Sequence, residues 1–162
     1  CEMRVKDAAK LTGIEPYLDM NPYDLPLSIR KFVTIASVIA SDCDVMIFYF
    51  PTAGQDLDGL ERLSELNKVL TNRGKAIVTI THDMEFVAEN YDRVIVMCQK
   101  KVIADGKTKD VFFEKEIMNR AMLKQPALVR IANQLGMTQN TLDIEEVAVY
   151  IKNGQTEKND AV

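Results

Sequence analysis

Two stretches of the chain end where chemistry could be done. The apolar run "DVMIFYF" (44–50) delivers Tyr49 and Phe50 to the turn "PTAGQD" (51–56), and "KAIVTIT" (75–81) delivers His82, the one histidine in the sequence. Ser28, at the front of "SIRKFVTIA", adds a hydroxyl beside a helix start, and Asp56 adds a carboxylate after the turn. Strand ends that handle phosphate esters present oxygen anions, because a hard cation needs them as ligands and an attacking water needs a base within hydrogen-bond reach. Tyr49 and Phe50 supply neither: a phenol is not a carboxylate, and a benzene ring can neither coordinate magnesium nor accept a proton. The two aromatics are either packing residues at a strand end, as their strand preference allows, or fillers of a space that a phosphate ligand and its metal would need.

The elements that must position these residues can be read from pattern. "EMRVKDAAKLT" (2–12) places Met3, Ala8 and Leu11 at helical spacings and stops at Gly13. "PYLDMNPYDLPL", with three prolines, reads as turns. Ser28 is a candidate cap for a helix from Ile29 to Ser41 that buries Phe32, Val33, Ile35, Ala36, Ile39 and Ala40. The run 44–50 has no alternation, which predicts a central strand covered on both faces. Residues 57–71 put Leu60, Leu63, Leu66, Val69 and Leu70 on one helical face, with a stop at 72–74. A second strand follows at 75–81, then a short helix at 84–90 behind Asp83, whose expected role is a cap. "RVIVMC" and "KKVIADG" read as two strands joined by a tight turn, and helices are expected at 108–115, 116–124, 126–135 and 141–152, the last capped by Thr141. Strand and helix alternate through the middle, which predicts an α/β fold with parallel strands.

Composition bounds the rest. The 162 residues suit one domain-sized core, and a net charge of -4 without a Lys/Arg stripe argues against nucleic-acid binding. Cys1, Cys43 and Cys98 show no CxxC spacing, so reduced thiols are expected, with no disulfide and no zinc. The apolar runs are shorter than the ~18 residues a membrane span requires, so membrane contact is expected only through partners. A start at Cys1, without a signal-peptide pattern, reads as a fragment or a processed product.

Taken in order, an apolar strand, "PTAGQD", a helix, a strand ending "TITHDM", "DRVIVM" and a hairpin ending "ADG" closely resemble the second half of an ATP-binding-cassette (ABC) ATPase. "NPYDLPLSIRKFVTIASVIA" further resembles the signature loop and helix of the energy-coupling factor (ECF) branch. The resemblance implies a partial P-loop NTPase fold with a mostly parallel sheet and C-terminal helices. Residues 1–27 would belong to the helical subdomain and signature loop, 28–107 to the C-terminal part of the ATPase core, 108–152 to a helical extension and 153–162 to a flexible tail. It also implies an ATP-binding subunit that couples ATP to uptake of a vitamin or metal ion, with ATP and magnesium as the family's cofactors. The implied partners are a second ABC ATPase subunit and a transmembrane ECF subunit, at the inner face of the cell membrane.

On that resemblance Tyr49 and Phe50 stand where the Walker B strand carries Asp and Glu, His82 matches the switch histidine that contacts the γ-phosphate, and Asp56 matches the D-loop Asp. The signature pentapeptide becomes "LPLSI" (25–29): Pro26 has no N–H and Leu27 is bulky where Gly allows close approach. Ser28 either keeps a phosphate contact to a nucleotide held by the other subunit or only caps its helix. His82 is either a phosphate sensor or a structural histidine, and Asp56 can serve both as D-loop residue and as helix cap. No GxxxxGK[ST] phosphate cradle occurs in the sequence, so the chain alone is expected to be inactive and not to bind ATP and magnesium by itself. The alternatives carried forward are a non-catalytic pseudo-ATPase acting as an interaction module and an unrelated α/β domain, the latter favoured by a structure in which strands 44–50 and 75–81 are not parallel neighbours.

Overall fold

The structure, a computed structural model, describes residues 2–159, with side chains through residue 153. The chain forms two compact units, Cys1–His82 and Asp83–Val162. The strands of "RVIVMC" and "KKVIADG" fall in the second unit, with the C-terminal helices.

In the first unit, helix α1 (Glu2–Thr12) ends at Gly13 with φ +66°, where Ile14 N donates to Ala9 O at 2.9 Å and closes the last turn. Two short 3-10 turns, Glu15–Tyr17 and Pro22–Asp24, carry the chain to helix α2 (Leu27–Ala40). Strand β1 (Val45–Tyr49), helix α3 (Leu57–Asn72) and strand β2 (Ala76–Ile80) then form one β-α-β crossover. β1 and β2 are parallel neighbours, paired from Val45 with Ala76 to Tyr49 with Ile80, which is not the arrangement that would favour an unrelated α/β domain. Parallel neighbours need such a crossover, and α3, which packs against β2 and α1 with Leu63, Leu66 and Leu70 buried, provides it. Each of these leucines contributes about 1.5–3 kcal/mol of transfer free energy. α2 buries Phe32, Ile35, Ala36 and Ile39 against α1, and Arg62 lies over the Phe32 ring at 5.2 Å.

β1 is not covered on both faces. Met46 and Phe48 point inward and are buried, whereas Val45, Ile47 and Tyr49 are 56, 64 and 73% exposed. Their register partners on the same face, Val78 and Ile80, are also exposed, so one face of the pair is apolar and open. The unbroken apolar run therefore reflects two apolar faces of which this unit buries one.

The second unit is built on helix α4 (Met84–Asn90), strands β3 (Arg93–Cys98) and β4 (Lys101–Lys107), and helices α5 (Thr108–Phe113), α6 (Lys115–Arg120), α7 (Ala127–Gln134) and α8 (Ile144–Asn159). β3 and β4 are antiparallel, so parallel pairing is confined to β1 and β2. Their connection is Gln99 and Lys100, both at positive φ, the conformation whose twist suits a two-residue hairpin. The core gathers Met84, Val87, Val96, Val111, Phe112, Met118 and Val129. The expected Thr141 cap for the last helix is corrected: Asp143 Oδ1 accepts from Glu145 N at 2.8 Å, while buried Thr141 accepts from Asp143 N at 3.0 Å and shapes the approach. α8 continues to Asn159, so the part of the expected flexible tail at 153–159 is helical in its backbone, and 160–162 lie outside the described residues. Among the described residues no helix is long and apolar enough to cross a membrane. Cys43 and Cys98 carry free thiols.

Candidate functional site

The tip of the parallel pair collects three of the residues singled out by sequence. Tyr49 is the last residue of β1, and Phe50 follows it with φ +48° while its N–H still donates to Ile80 O at 2.8 Å. That one residue in the left-handed region turns the chain out of the strand and into Pro51. A left-handed non-glycine residue costs on the order of 1–2 kcal/mol, so the surrounding contacts must hold it. The Phe50 ring sits edge-on to Tyr49 at 4.6 Å and tilted against His82 at 5.0 Å, His82 being delivered by the end of β2. Tyr49 is 73% exposed and is therefore not a core aromatic, Phe50 is half-buried, and His82 is exposed.

The turn after Phe50 is tied to the start of α2. Lys31 Nζ donates to Phe50 O at 3.2 Å and also to Ala53 O, and Gln55 Nε2 donates to Ser28 O at 3.4 Å. Gly54, at φ +72°, lies so close to α2 that a Cβ there would meet Leu27 Cδ2 at 3.3 Å. Ser28 is thus brought next to the turn, but not as a helix cap: α2 starts at Leu27 with Pro26 in the capping position and no side-chain cap bond. The ring of Pro26 fixes an extended entry that starts the helix earlier than the hydroxyl signal suggested. Asp56 does cap α3, its Oδ1 accepting from Gly59 N at 2.9 Å, and Asp83 caps α4 by accepting from Phe86 N at 3.2 Å.

Sequence reasoning missed Lys31. A lysine in "IRKFV" carries no distinguishing spacing, because its partners are main-chain carbonyls of a turn remote in sequence.

ATP with magnesium, the group implied by the fold family, is not matched by these residues. The β1 tip offers a phenol and a hydrocarbon ring, and Asp56 Oδ1 and Asp83 Oδ1 are taken by helix amides. Among the described residues no group of three or more His, Cys, Asp or Glu side chains could hold a metal ion. What the arrangement does offer is a compact aromatic tip with one imidazole, braced from behind by an ammonium.

No family model matches the chain. In fold it is similar to cbiO1 of Clostridium perfringens, described as part of the ABC transporter complex cbiONQ, with a TM-score of 0.64 and 34% identity over 82% of this chain and 53% of that one. The fold is accordingly that of a P-loop NTPase domain of the ABC ATPase class, present in part. A putative ABC transporter ATP-binding protein of Caldanaerobacter subterraneus is 37% identical over 149 residues, which are 92% of this chain and 26% of that protein. The energy-coupling factor transporter ATP-binding protein EcfA2 of Methanospirillum hungatei is 35% identical over 134 residues, 83% of this chain and 34% of that protein. Its homologues are ABC transporter ATP-binding proteins, energy-coupling factor members among them, and the chain matches part of such an ATPase. It spans half or less of the length of these curated relatives.

Proposed function

We propose that the chain forms part of the ATP-binding subunit of an energy-coupling factor ABC transporter that drives uptake of a vitamin or a metal ion, and that its own strand tip is catalytically impaired. The observation that supports the impairment is the pair Tyr49 and Phe50 at the end of β1, the Phe50 ring lying against both Tyr49 and His82, where neither Tyr49 nor Phe50 carries a carboxylate. Chemistry at this tip would need both a metal ligand and a base, and neither side chain is either. In this reading His82 stands at the phosphate-sensing position, Asp56 at the D-loop position where paired ATPase subunits meet, and Ser28 at the position facing a nucleotide bound by the other subunit. ATP and magnesium are then held mainly by a complementary part of the fold and by the second ATPase subunit. A transmembrane ECF subunit holds the assembly at the inner face of the membrane.

The open face formed by Val45, Ile47, Tyr49, Val78 and Ile80 favours a second reading, in which the chain acts as a non-catalytic interaction module. Apolar strands left open on one face are a template for association. Both readings place a partner against the first unit, and they differ in whether nucleotide matters to the complex.

The test is phosphate release from ATP with magnesium by the purified chain, alone and co-expressed with a second ABC ATPase subunit and a transmembrane ECF subunit. The chain alone is expected to match the protein-free blank, and the complex to hydrolyse ATP. Magnesium-dependent turnover by the chain alone would refute the impairment, and turnover that survived both Phe50→Ala and His82→Ala would refute the site. A complex that forms but neither binds nor hydrolyses ATP selects the interaction module.

A further inference from the structure

We propose that Lys31 is a positioning residue: its ammonium latches the turn after β1 onto α2 and thereby holds the Phe50 ring against His82. The inference rests on packing within the first unit and is independent of whether the tip hydrolyses anything. Two carbonyl oxygens, Phe50 O and Ala53 O, face one half-buried ammonium, and both receive a hydrogen bond from it. An ammonium carries several rotatable donors on a flexible stem, so one group can serve two carbonyls that do not lie in one plane. Without it, neither carbonyl has the charged donor that holds the turn to α2.

Three further contacts lock the same junction. Gln55 Nε2 reaches Ser28 O, a Cβ at Gly54 would meet Leu27 Cδ2 at 3.3 Å, and Ala53 N donates to Phe50 O at 3.3 Å. Phe50 itself is held at φ +48° between Ile80 O, which accepts its N–H, and Lys31, which donates to its C=O. A strained residue persists only where its surroundings over-determine it, and Lys31 supplies the charge-assisted part of that restraint. The consequence is mechanical. The start of α2 and the aromatic tip move as one body, so a displacement of α2 displaces the Phe50 ring relative to His82.

The experiment uses the whole chain and three substitutions: Lys31→Met, which keeps the stem and removes the donors, Lys31→Arg, which keeps a cationic donor, and Phe50→Leu, which removes the ring. The His82 imidazole proton resonances report the ring current of Phe50, which a merely structural lysine elsewhere would not move. Lys31→Met is expected to shift those resonances toward their positions in Phe50→Leu, and Lys31→Arg to keep them near native. Hydrogen exchange of the Ala53 and Gln55 amides is expected to quicken at least about tenfold in Lys31→Met, since a hydrogen bond to a charged group is lost. If Lys31→Met does not fold, the same comparison is made in Lys31→Gln, whose shorter amide cannot span both carbonyls. Native His82 resonances and native exchange in a folded Met or Gln variant, with Phe50→Leu shifting the resonances, would overturn the latch.

Discussion

Replacing Phe50 by alanine and by glycine separates what its ring does from what its backbone does. Phe50 has φ +48° and its half-buried ring touches Tyr49 and His82. Aromatic pairs of this kind contribute about 0.5–1.5 kcal/mol beyond area burial, and the exposed Tyr49 and His82 put these contacts at the low end. Phe50→Ala removes the ring but keeps a Cβ in the left-handed region, so a loss of about 1–2 kcal/mol is expected. Phe50→Gly removes the same ring and also relieves a left-handed penalty on the order of 1–2 kcal/mol. Glycine should therefore be more stable than alanine at this position by about 1 kcal/mol, the reverse of the usual order. An exposed helical position such as Glu65 in α3 serves as the control, where glycine should be the less stable by about 0.8–1 kcal/mol. Urea unfolding followed by far-UV circular dichroism reads the difference as a shift in midpoint at unchanged slope. A Phe50→Gly chain less stable than Phe50→Ala would refute the left-handed exit from β1, and with it the geometry that places the ring against His82.

The cap on α3 gives a second expectation: Asp56→Ala should cost about 1 kcal/mol in the same urea assay and Asp56→Asn only a few tenths, because asparagine keeps the acceptor for Gly59 N. Loss of complex formation in Asp56→Asn with stability retained would separate a D-loop role from the cap. A third concerns pH. The Lys75 ammonium, by hydrogen bond and charge and with help from Arg4, holds Asp42 below the usual carboxylate range, and Asp42 chiefly raises Lys75 in turn. A depressed carboxyl stabilises the fold above its unfolded value of 3.8 and stops doing so as pH falls through the folded value; a raised ammonium stabilises below 10.5 and stops as pH climbs through its folded value. Acid unfolding below pH 3.8 should accordingly be less steep in Asp42→Asn, and an unchanged acid limb would show that the pair does not bear on the fold.

Sequence alone determined the local elements wherever pattern and punctuation agree. The leucine spacing of α3 with Asp56 before it, the stop at Gly13, the cap at Asp83 and the hairpin at Gln99–Lys100 all depend on residues close in the chain. It also determined that the end of β1 carries two aromatic rings, because residue identity needs no fold to be read. Only the tertiary structure decided which face of β1 is open, since an unbroken apolar run has no period to distinguish a strand buried twice from one buried once. Only the tertiary structure moved the capping role from Thr141 to Asp143 and from Ser28 to none, because a cap depends on where the backbone leaves the helix. The partnership of Lys31 with Phe50 and Ala53 belongs wholly to the fold: a side chain that bonds main-chain carbonyls leaves no complementary residue in the sequence to announce it.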